Sequence, residues 1–312
     1  MKPKLILHIG THRTGTTSLQ RFLSQNRSKL KANDVYYPSS DTGFTPLAKW
    51  VTDPDRYGEE LSDLKYHQIN YPLSIVSDAS LCLLETPELV AEHFHEFDIA
   101  VLVYLRDPVR FLVSSWQNDV HYGQNIVDMA SYLKSKPFSY LKLLQSWSEA
   151  FPNLHVRLYD RAAMPKSDVI NDFMQVTELD KISGLSRLAN DARTSISGNL
   201  LYFKLLYNGL RLPERTTEEM TTTLTLASRL KTDFRIVPDV PKWLSKVTHA
   251  NYGPELASIR ERWQLSIPMS SKVFGMKVPV VEYLGRDFKL LTTAARDNRF
   301  PLLDLADHLG FE

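Results

Sequence analysis

The chain has 312 residues, of which 43% are hydrophobic, enough for a sizeable core in one or two domains. Its 37 basic and 36 acidic residues nearly cancel, so no global positive field attracts nucleic acid and any anion site must be local. Cys82 is the single cysteine, which excludes an internal disulfide and a cysteine-rich metal site. Since Cys82 lies in an apolar run, we expect it to be a small buried side chain.

The N-terminal apolar run, residues 5–9, is too short for a signal peptide and leads directly into a glycine loop. No stretch approaches the ~18 consecutive apolar residues of a membrane span. We therefore expect a cytoplasmic protein without a membrane-spanning helix.

Short apolar runs alternate with helical patterns over the first 180 residues. Strands are expected at residues 5–9, 35–37, 73–76, 99–105 and 154–158, and helices at 16–26, 87–94, 108–116 and 168–176. This alternation predicts a parallel α/β sheet. The run at 99–105, IAVLVYL, is almost wholly apolar, which is typical of a strand covered on both faces.

The remaining segments carry weaker signals. Residues 39–72 are polar and irregular, with short helices possible, and could form a wall or lid beside the sheet. After about residue 180 helical patterns dominate, at 198–207, 213–230, 254–263 and 302–309. We expect one domain over residues 1–312, with a core at 4–180 and a mainly helical C-terminal extension at 181–312.

The loop GTHRTGTT, residues 10–17, joins the first strand to the first helix. Backbone N–H groups at a helix start lack partners within the helix, and the helix dipole favours negative charge there. Thr14, Thr16 and Thr17 add hydroxyl donors, and Arg13 adds a planar fork of charged donors. The loop therefore predicts a phosphate-type site in a P-loop-type parallel sheet flanked by helices.

The loop departs from the Walker A pattern GxxxxGK[ST]. Gly10 and Gly15 have the Walker spacing, but Thr16 stands where the lysine belongs and the positive charge is at Arg13. A P-loop kinase or nucleotide hydrolase would lose its lysine contact to the β/γ phosphates. That class stays open as an alternative, as does a non-catalytic nucleotide-binding relative.

A second group of polar residues follows the strand at 99–105. The carboxyl ends of parallel strands share one edge, so Arg106 is expected on the same edge as the loop. Ser114 comes eight positions later, about two turns along the next helix. The alternatives are an Arg106–Asp107 salt bridge and an ordinary helical serine.

These motifs resemble a known family, the PAPS-dependent P-loop sulfotransferases, in the bacterial branch akin to carbohydrate sulfotransferases. HIGTHRTGTTSLQRFL resembles their 5′-phosphosulfate-binding loop, and VLVYLRDPVRFLVSSW resembles their 3′-phosphate-binding segment. Residues 154–161, 168–176 and 190–197 resemble further segments of that branch. The resemblance covers roughly residues 4–208, and poorly residues 38–72.

The resemblance implies in-line transfer of a sulfuryl group from PAPS, the co-substrate, to an acceptor hydroxyl, without a metal. It implies a small-molecule or glycan acceptor, such as a carbohydrate or glycolipid, with possible peripheral contact to a lipid-linked acceptor and possible oligomers. The 5′-phosphosulfate would be held by His12, Arg13, Thr14, Gly15, Thr16 and Thr17. Arg106 and Ser114 would hold the 3′-phosphate.

The candidates for catalytic roles are Arg13 and three possible general bases. The family usually has lysine at the position of Arg13; arginine keeps the charge but does not pass on a proton. An acceptor hydroxyl needs a general base, and Asp78 is the acid expected at the sheet edge after the strand at 73–76. Its alternative role is a helix cap or turn residue, and His12 and Glu85 are the reserves for the base.

Overall fold

A computed structural model describes residues 2–38, 45–135, 138–187, 196–211 and 214–297. The chain divides into two compact units. The first comprises Met1–Asp107, Phe138–Arg193 and Pro254–Pro268, and the second comprises Pro108–Pro137, Thr194–Gly253 and Met269–Glu312. The interpretation as one domain with a core at residues 4–180 stays a prediction.

The first unit contains a five-stranded sheet. Its strands are β1 (Lys4–His8), β2 (Val35–Tyr36), β3 (Leu73–Ser77), β4 (Asp98–Leu105) and β5 (Leu154–Leu158). The strand order is β2-β3-β1-β4-β5, and every neighbouring pair is parallel. The predicted parallel α/β sheet is confirmed, and each strand lies within one residue of its predicted bounds.

Helices follow the strands and continue through the second unit. They are α1 (Thr16–Gln25), α2 (Arg27–Lys31), α3 (Leu47–Thr52), α4 (Pro54–Gln68), α5 (Glu88–His93), α6 (Pro108–His121), α7 (Met129–Lys134), α8 (Tyr140–Ala150), α9 (Val169–Val176), α10 (Gly198–Gly209), α11 (Glu214–Ala227), α12 (Lys242–Trp263) and α13 (Leu284–Asp297). The segment at 39–72, expected to be irregular with short helices, contains α3 and α4, and α4 is interrupted by non-helical dihedral angles at Tyr57. The predicted flanking helices and helical C-terminal part are confirmed.

Both faces of the sheet are buried, which explains the continuous apolar strand sequences. On one face, Ile6 of β1 packs in a cluster with Phe22 of α1 and Phe173 of α9. The residues that alternate with this face, such as Leu7 and Val103, are also fully buried. The sheet therefore offers its edges and strand ends, and not its faces, to ligands.

The second unit has its own core. Side chains of α6, α10, α11 and α13 form it, including Trp116, Leu200, Leu224 and Leu291. Isolated bridges join Pro238 to Met276 and Val240 to Val273.

One helix differs clearly from its predicted bounds. The helix expected at 254–263 begins at Lys242, twelve residues earlier, and contains Pro254 in its interior. Buried residues at a spacing of four, Leu244, Thr248 and Tyr252, continue the helical stripe through the earlier turns. Sequence analysis missed this stripe because Thr248 is polar and because proline usually marks a helix start. The helix predicted at 302–309 and residues 190–195 lie outside the described residues.

Cys82 is buried as expected, with 4% of its surface exposed. Burial raises the pKa of its thiol to about 12, which excludes a reactive thiolate at neutral pH. Within the described ranges, no helix combines the length and the apolar character needed to cross a bilayer.

Candidate functional site

The loop between β1 and α1 requires glycine at two positions. Gly10 has φ +92°, and a Cβ atom there would lie 3.3 Å from the Cα of Ala79. Gly15 has φ +82°, and its Cβ atom would lie 2.9 Å from Val169 Cγ1 and 3.2 Å from Tyr159 Cε2. Both positions combine left-handed backbone with close neighbours, so the two glycines set the path of the loop.

Hydrogen bonds inside the loop use the threonine hydroxyls. Thr11 donates from its N–H and its Oγ1 to the carbonyl of Tyr104, at 3.2 and 3.0 Å. Thr14 Oγ1 donates to the carbonyl of Thr11 at 2.5 Å, and Thr16 Oγ1 makes a long contact of 3.5 Å to the same atom. Thr14 and Thr16 are buried, whereas Thr17 is half-buried. The hydroxyls of Thr14 and Thr16 therefore stabilise the loop from within, and Thr17 is the more accessible donor.

The start of α1 suits an anion. Its N-cap is Gly15, no side chain caps it, and no acidic residue lies in its first turn. The first-turn N–H groups and the positive end of the helix dipole are therefore available to a negatively charged ligand. Arg13, at φ 63°, adds a positively charged side chain beside them, and the exposed His12 adds an imidazole.

Arg106 lies at this loop. It directly follows β4, and its Nη1 donates to the carbonyl of Arg13 at 3.1 Å. Its guanidinium carbon lies 5.4 Å from the ring centroid of Tyr159, and Tyr140 Oη donates to its carbonyl at 2.9 Å. The structure thus brings Arg106 to the same edge as the loop, as expected from the parallel sheet.

Ser114 is half-buried on α6, in the second unit. Arg106 belongs to the first unit. Their joint role in holding a 3′-phosphate stays a prediction.

Asp78 follows β3 and is almost fully buried, with 1% of its surface exposed. Its Oδ1 accepts hydrogen bonds from the N–H and the Oγ of Ser80, at 2.9 and 2.6 Å. Its Oδ2 accepts from the N–H of Ala48 at 2.9 Å. The side chain therefore caps the 3₁₀ helix Ala79–Leu83 and binds the first turn of α3, which is its alternative role.

The other two candidates for the base are exposed. His12 lies in the loop, beside Arg13. Glu85 pairs with Lys142 at the surface, with its carboxylate 3.5 Å from the ammonium nitrogen.

A buried polar layer supports the loop from below. Tyr104 Oη donates to Asp172 Oδ2 at 2.8 Å, and Arg157 binds both carboxylate oxygens of Asp172. His8 Nδ1 lies 2.8 Å from Ser77 Oγ, and burial lowers the pKa of His8 to about 3. His8 is therefore neutral at physiological pH and adds no charge beneath the site.

Sequence analysis missed Tyr159 as a residue of the site. Its ring lies beside Gly15 and over Arg106. The available signal was its position, since Tyr159 is the first residue after β5 and must lie at the same strand-end edge.

Among the described residues, no group of three or more His, Cys, Asp or Glu side chains has the arrangement of a metal site.

Two comparisons relate this chain to known proteins. An uncharacterized protein of Archaeoglobus fulgidus is 34% identical to this chain over 82 residues, which is 26% of this chain and 22% of that protein. The match thus spans about a fifth of the relative's length. Residues 3–175, more than half of the chain, match the sulfotransferase domain family, and the match includes the loop, β4 and β5. The chain therefore belongs to the sulfotransferase family, whose domain performs sulfuryl transfer.

Proposed function

We propose that this chain transfers a sulfuryl group from PAPS to an acceptor hydroxyl. The observation that carries the proposal is the combination of an uncapped helix start at Gly15 with Arg106 hydrogen-bonded to the loop. A carbohydrate or glycolipid acceptor and a cytoplasmic location belong to the same proposal, as does the place of the chain in the bacterial carbohydrate branch.

The residues of the loop fit the phosphosulfate end of the donor. The unpaired N–H groups of residues 15–17 and the hydroxyl of Thr17 would bind its oxygens, with Arg13 neutralising their charge. Gly15 carries no side chain beside these N–H groups, and a Cβ atom there would meet Val169 and Tyr159.

The second anion position separates PAPS from ATP. We assign the 3′-phosphate to Arg106 together with Ser114. Support comes from the position of Arg106 next to the loop, where its Nη1 donates to the carbonyl of Arg13 and its guanidinium adds a fixed positive charge. Thr16 in the place of the Walker lysine also argues against a kinase or nucleotide hydrolase.

PAPS, when bound, supplies the sulfuryl group and a phosphate leaving group. Arg13, in the loop, would stabilise the negative charge that develops on that leaving group by hydrogen bonding, without releasing a proton. The remaining requirement is a proton acceptor for the acceptor hydroxyl.

We assign that proton acceptor to His12 in preference to Asp78. Asp78 is buried, and both of its carboxylate oxygens already accept hydrogen bonds. His12 is exposed within the loop, and a neutral imidazole can accept a proton near pH 7. Asp78 is then a positioning residue that holds α3 and the 3₁₀ helix beside the loop.

Calorimetry with adenosine 3′,5′-bisphosphate and with ADP tests the proposal. We expect the bisphosphate to bind at least about tenfold more tightly, the equivalent of 1.4 kcal/mol. Equal binding of the two nucleotides, or no binding, would exclude the proposed donor.

Arg106→Ala tests the second anion position. The variant should weaken the bisphosphate and leave adenosine 5′-phosphosulfate nearly unchanged, and Arg106→Lys should recover part of the loss because it keeps the charge. An equal loss for both ligands would show that Arg106 acts through the loop carbonyl of Arg13 instead.

A further inference from the structure

A separate cleft lies in the first unit beside β2, the edge strand of the sheet. Its volume is about 450 Å³, within the usual range of small-ligand sites. Tyr36 of β2, Trp50 of α3 and Tyr71 line it with half-buried aromatic rings. The ring of Tyr36 lies 5.2 Å from that of Tyr71 and stacks on His67 at 6.1 Å. The cleft thus has an aromatic floor suited to a flat or ring-shaped ligand.

One wall of this cleft is acidic. Glu60, Asp63, Leu64 and His67 line it from α4 at helical spacing, so they share one face. Leu64 is buried, whereas the two carboxylates are exposed to solvent. Asp63 Oδ1 lies 3.4 Å from His67 Nε2.

Another wall is basic. Arg27 and Lys31 line it from α2, four residues apart on one helix face. Nη2 of Arg27 donates to the carbonyl of Pro38 at 3.1 Å, which fixes the side chain. Its Nε is buried without a hydrogen-bond partner among the described residues. Arg27 is therefore held in place, with one donor that no described residue uses.

The two walls do not neutralise each other. In the described part of the chain, no ion pair joins Arg27 or Lys31 to Glu60 or Asp63. Burial and the carboxylate of Asp63 raise the pKa of the Tyr36 phenol, whereas the guanidinium of Arg27 lowers it. The charges of both walls therefore act on this ring. Opposite charges thus line one cleft and stay available to a ligand.

We propose that this cleft binds a small ring-shaped zwitterion, with an ammonium group toward Glu60 and Asp63 and an anionic group toward Arg27 and Lys31. An amino sugar that carries an acidic group has this chemistry. A simple anion would be repelled by the acidic wall and a simple cation by the basic wall, and a neutral sugar would use neither. The aromatic floor then packs against the apolar face of the ring.

The cleft is independent of the proposed sulfuryl transfer. None of its lining residues belongs to the loop or to the Arg106 position. A helix nevertheless joins the two sites, because Asp78 binds α3 through the N–H of Ala48 and Trp50 of the same helix lines the cleft.

Calorimetry with four sugars tests the proposal: glucosamine 6-phosphate, glucosamine, glucose 6-phosphate and glucose. We expect the zwitterion to bind at least about tenfold more tightly than either singly charged sugar, and glucose most weakly. Equal affinities for all four sugars, or no binding of the zwitterion, would overturn the proposal. Tighter binding of glucose 6-phosphate than of the zwitterion would also overturn it, in favour of a plain anion site.

Charge-removing variants at exposed positions locate the binding. Glu60→Gln should weaken both amino sugars about fivefold or more and should not weaken glucose 6-phosphate, which loses a repelling charge. Lys31→Met should weaken both sugar phosphates by a similar factor and should not weaken glucosamine. Glu59→Gln and Lys29→Met, on the same helices but outside the cleft, are the matched controls. The proposal is overturned if these controls weaken binding as much as the cleft variants. Retained binding of adenosine 3′,5′-bisphosphate shows that each variant is folded and separates this result from the proposed enzyme function.

Discussion

Gly15→Ala is expected to damage both the stability and the anion site of the loop. The residue has φ +82°, where a Cβ atom costs about 1–2 kcal/mol. The added methyl group would also lie 2.9 Å from Val169 Cγ1, and such overpacking costs about 1–3 kcal/mol. Together these effects predict a loss of roughly 2–5 kcal/mol in the free energy of unfolding.

Urea denaturation measures this loss, and calorimetry measures the affinity for adenosine 3′,5′-bisphosphate, which should fall at least about tenfold as the N–H groups shift. The double variant Gly15→Ala/Val169→Ala should recover the part due to the clash and not the part due to the backbone. Gly58→Ala is the matched control: it lies in α4, where an added Cβ atom meets nothing within 4 Å. We expect that control to be neutral or stabilising by up to about 1 kcal/mol.

The reasoning would be refuted if Gly15→Ala matched the wild type in both unfolding free energy and bisphosphate affinity. A stability loss without any change in affinity would refute the proposed role of the α1 N-terminus in binding. An equal cost of Gly15→Ala in the wild type and in the Val169→Ala variant would show that the contact with Val169 contributes nothing.

Three further predictions concern Lys204, the Asp172 hydrogen-bond network and the two candidate bases. Burial lowers the pKa of Lys204 to about 8 from 10.5, so the folded state disfavours its charge. The free energy of unfolding should therefore rise between pH 8 and 10.5 by on the order of 3 kcal/mol. Lys204→Met should flatten this rise in urea denaturation, and an unchanged pH dependence in the variant would contradict the prediction. Asp172→Asn should cost roughly 1–3 kcal/mol, because half-buried Arg157 loses its charged partner and Tyr104 loses a charged acceptor. Tyr104→Phe removes one hydrogen bond and should cost less, about 1 kcal/mol. The reverse order in urea denaturation would show that the tyrosine is the main support. His12→Ala should lower the sulfuryl-transfer rate at least about a hundredfold while it still binds the bisphosphate. Asp78→Asn should chiefly lower the free energy of unfolding. If the rate falls in Asp78→Asn and not in His12→Ala, Asp78 is the general base.

The sheet was predictable because its signal is local. Each strand is a short, continuous apolar run, which is the pattern expected of strands in a parallel sheet that is covered on both faces. The helix α12 was less predictable, since its buried stripe includes Thr248 and its interior includes Pro254. Periodicity that runs through polar side chains is visible only once packing shows which of them are buried.

Within the site, sequence alone determined the glycine loop, the arginine after β4 and their common edge. The spacing of the motif residues and the positions of the predicted strands are enough to identify these features, because the carboxyl ends of parallel strands lie at one edge of the sheet. Tertiary structure decided what each side chain does there. It turned Thr14 into an internal support of the loop, tied both oxygens of Asp78 to backbone and hydroxyl donors, and placed Tyr159 against Gly15. These roles depend on which donors and rings lie within a few ångströms, and those neighbours come from segments far apart in the chain.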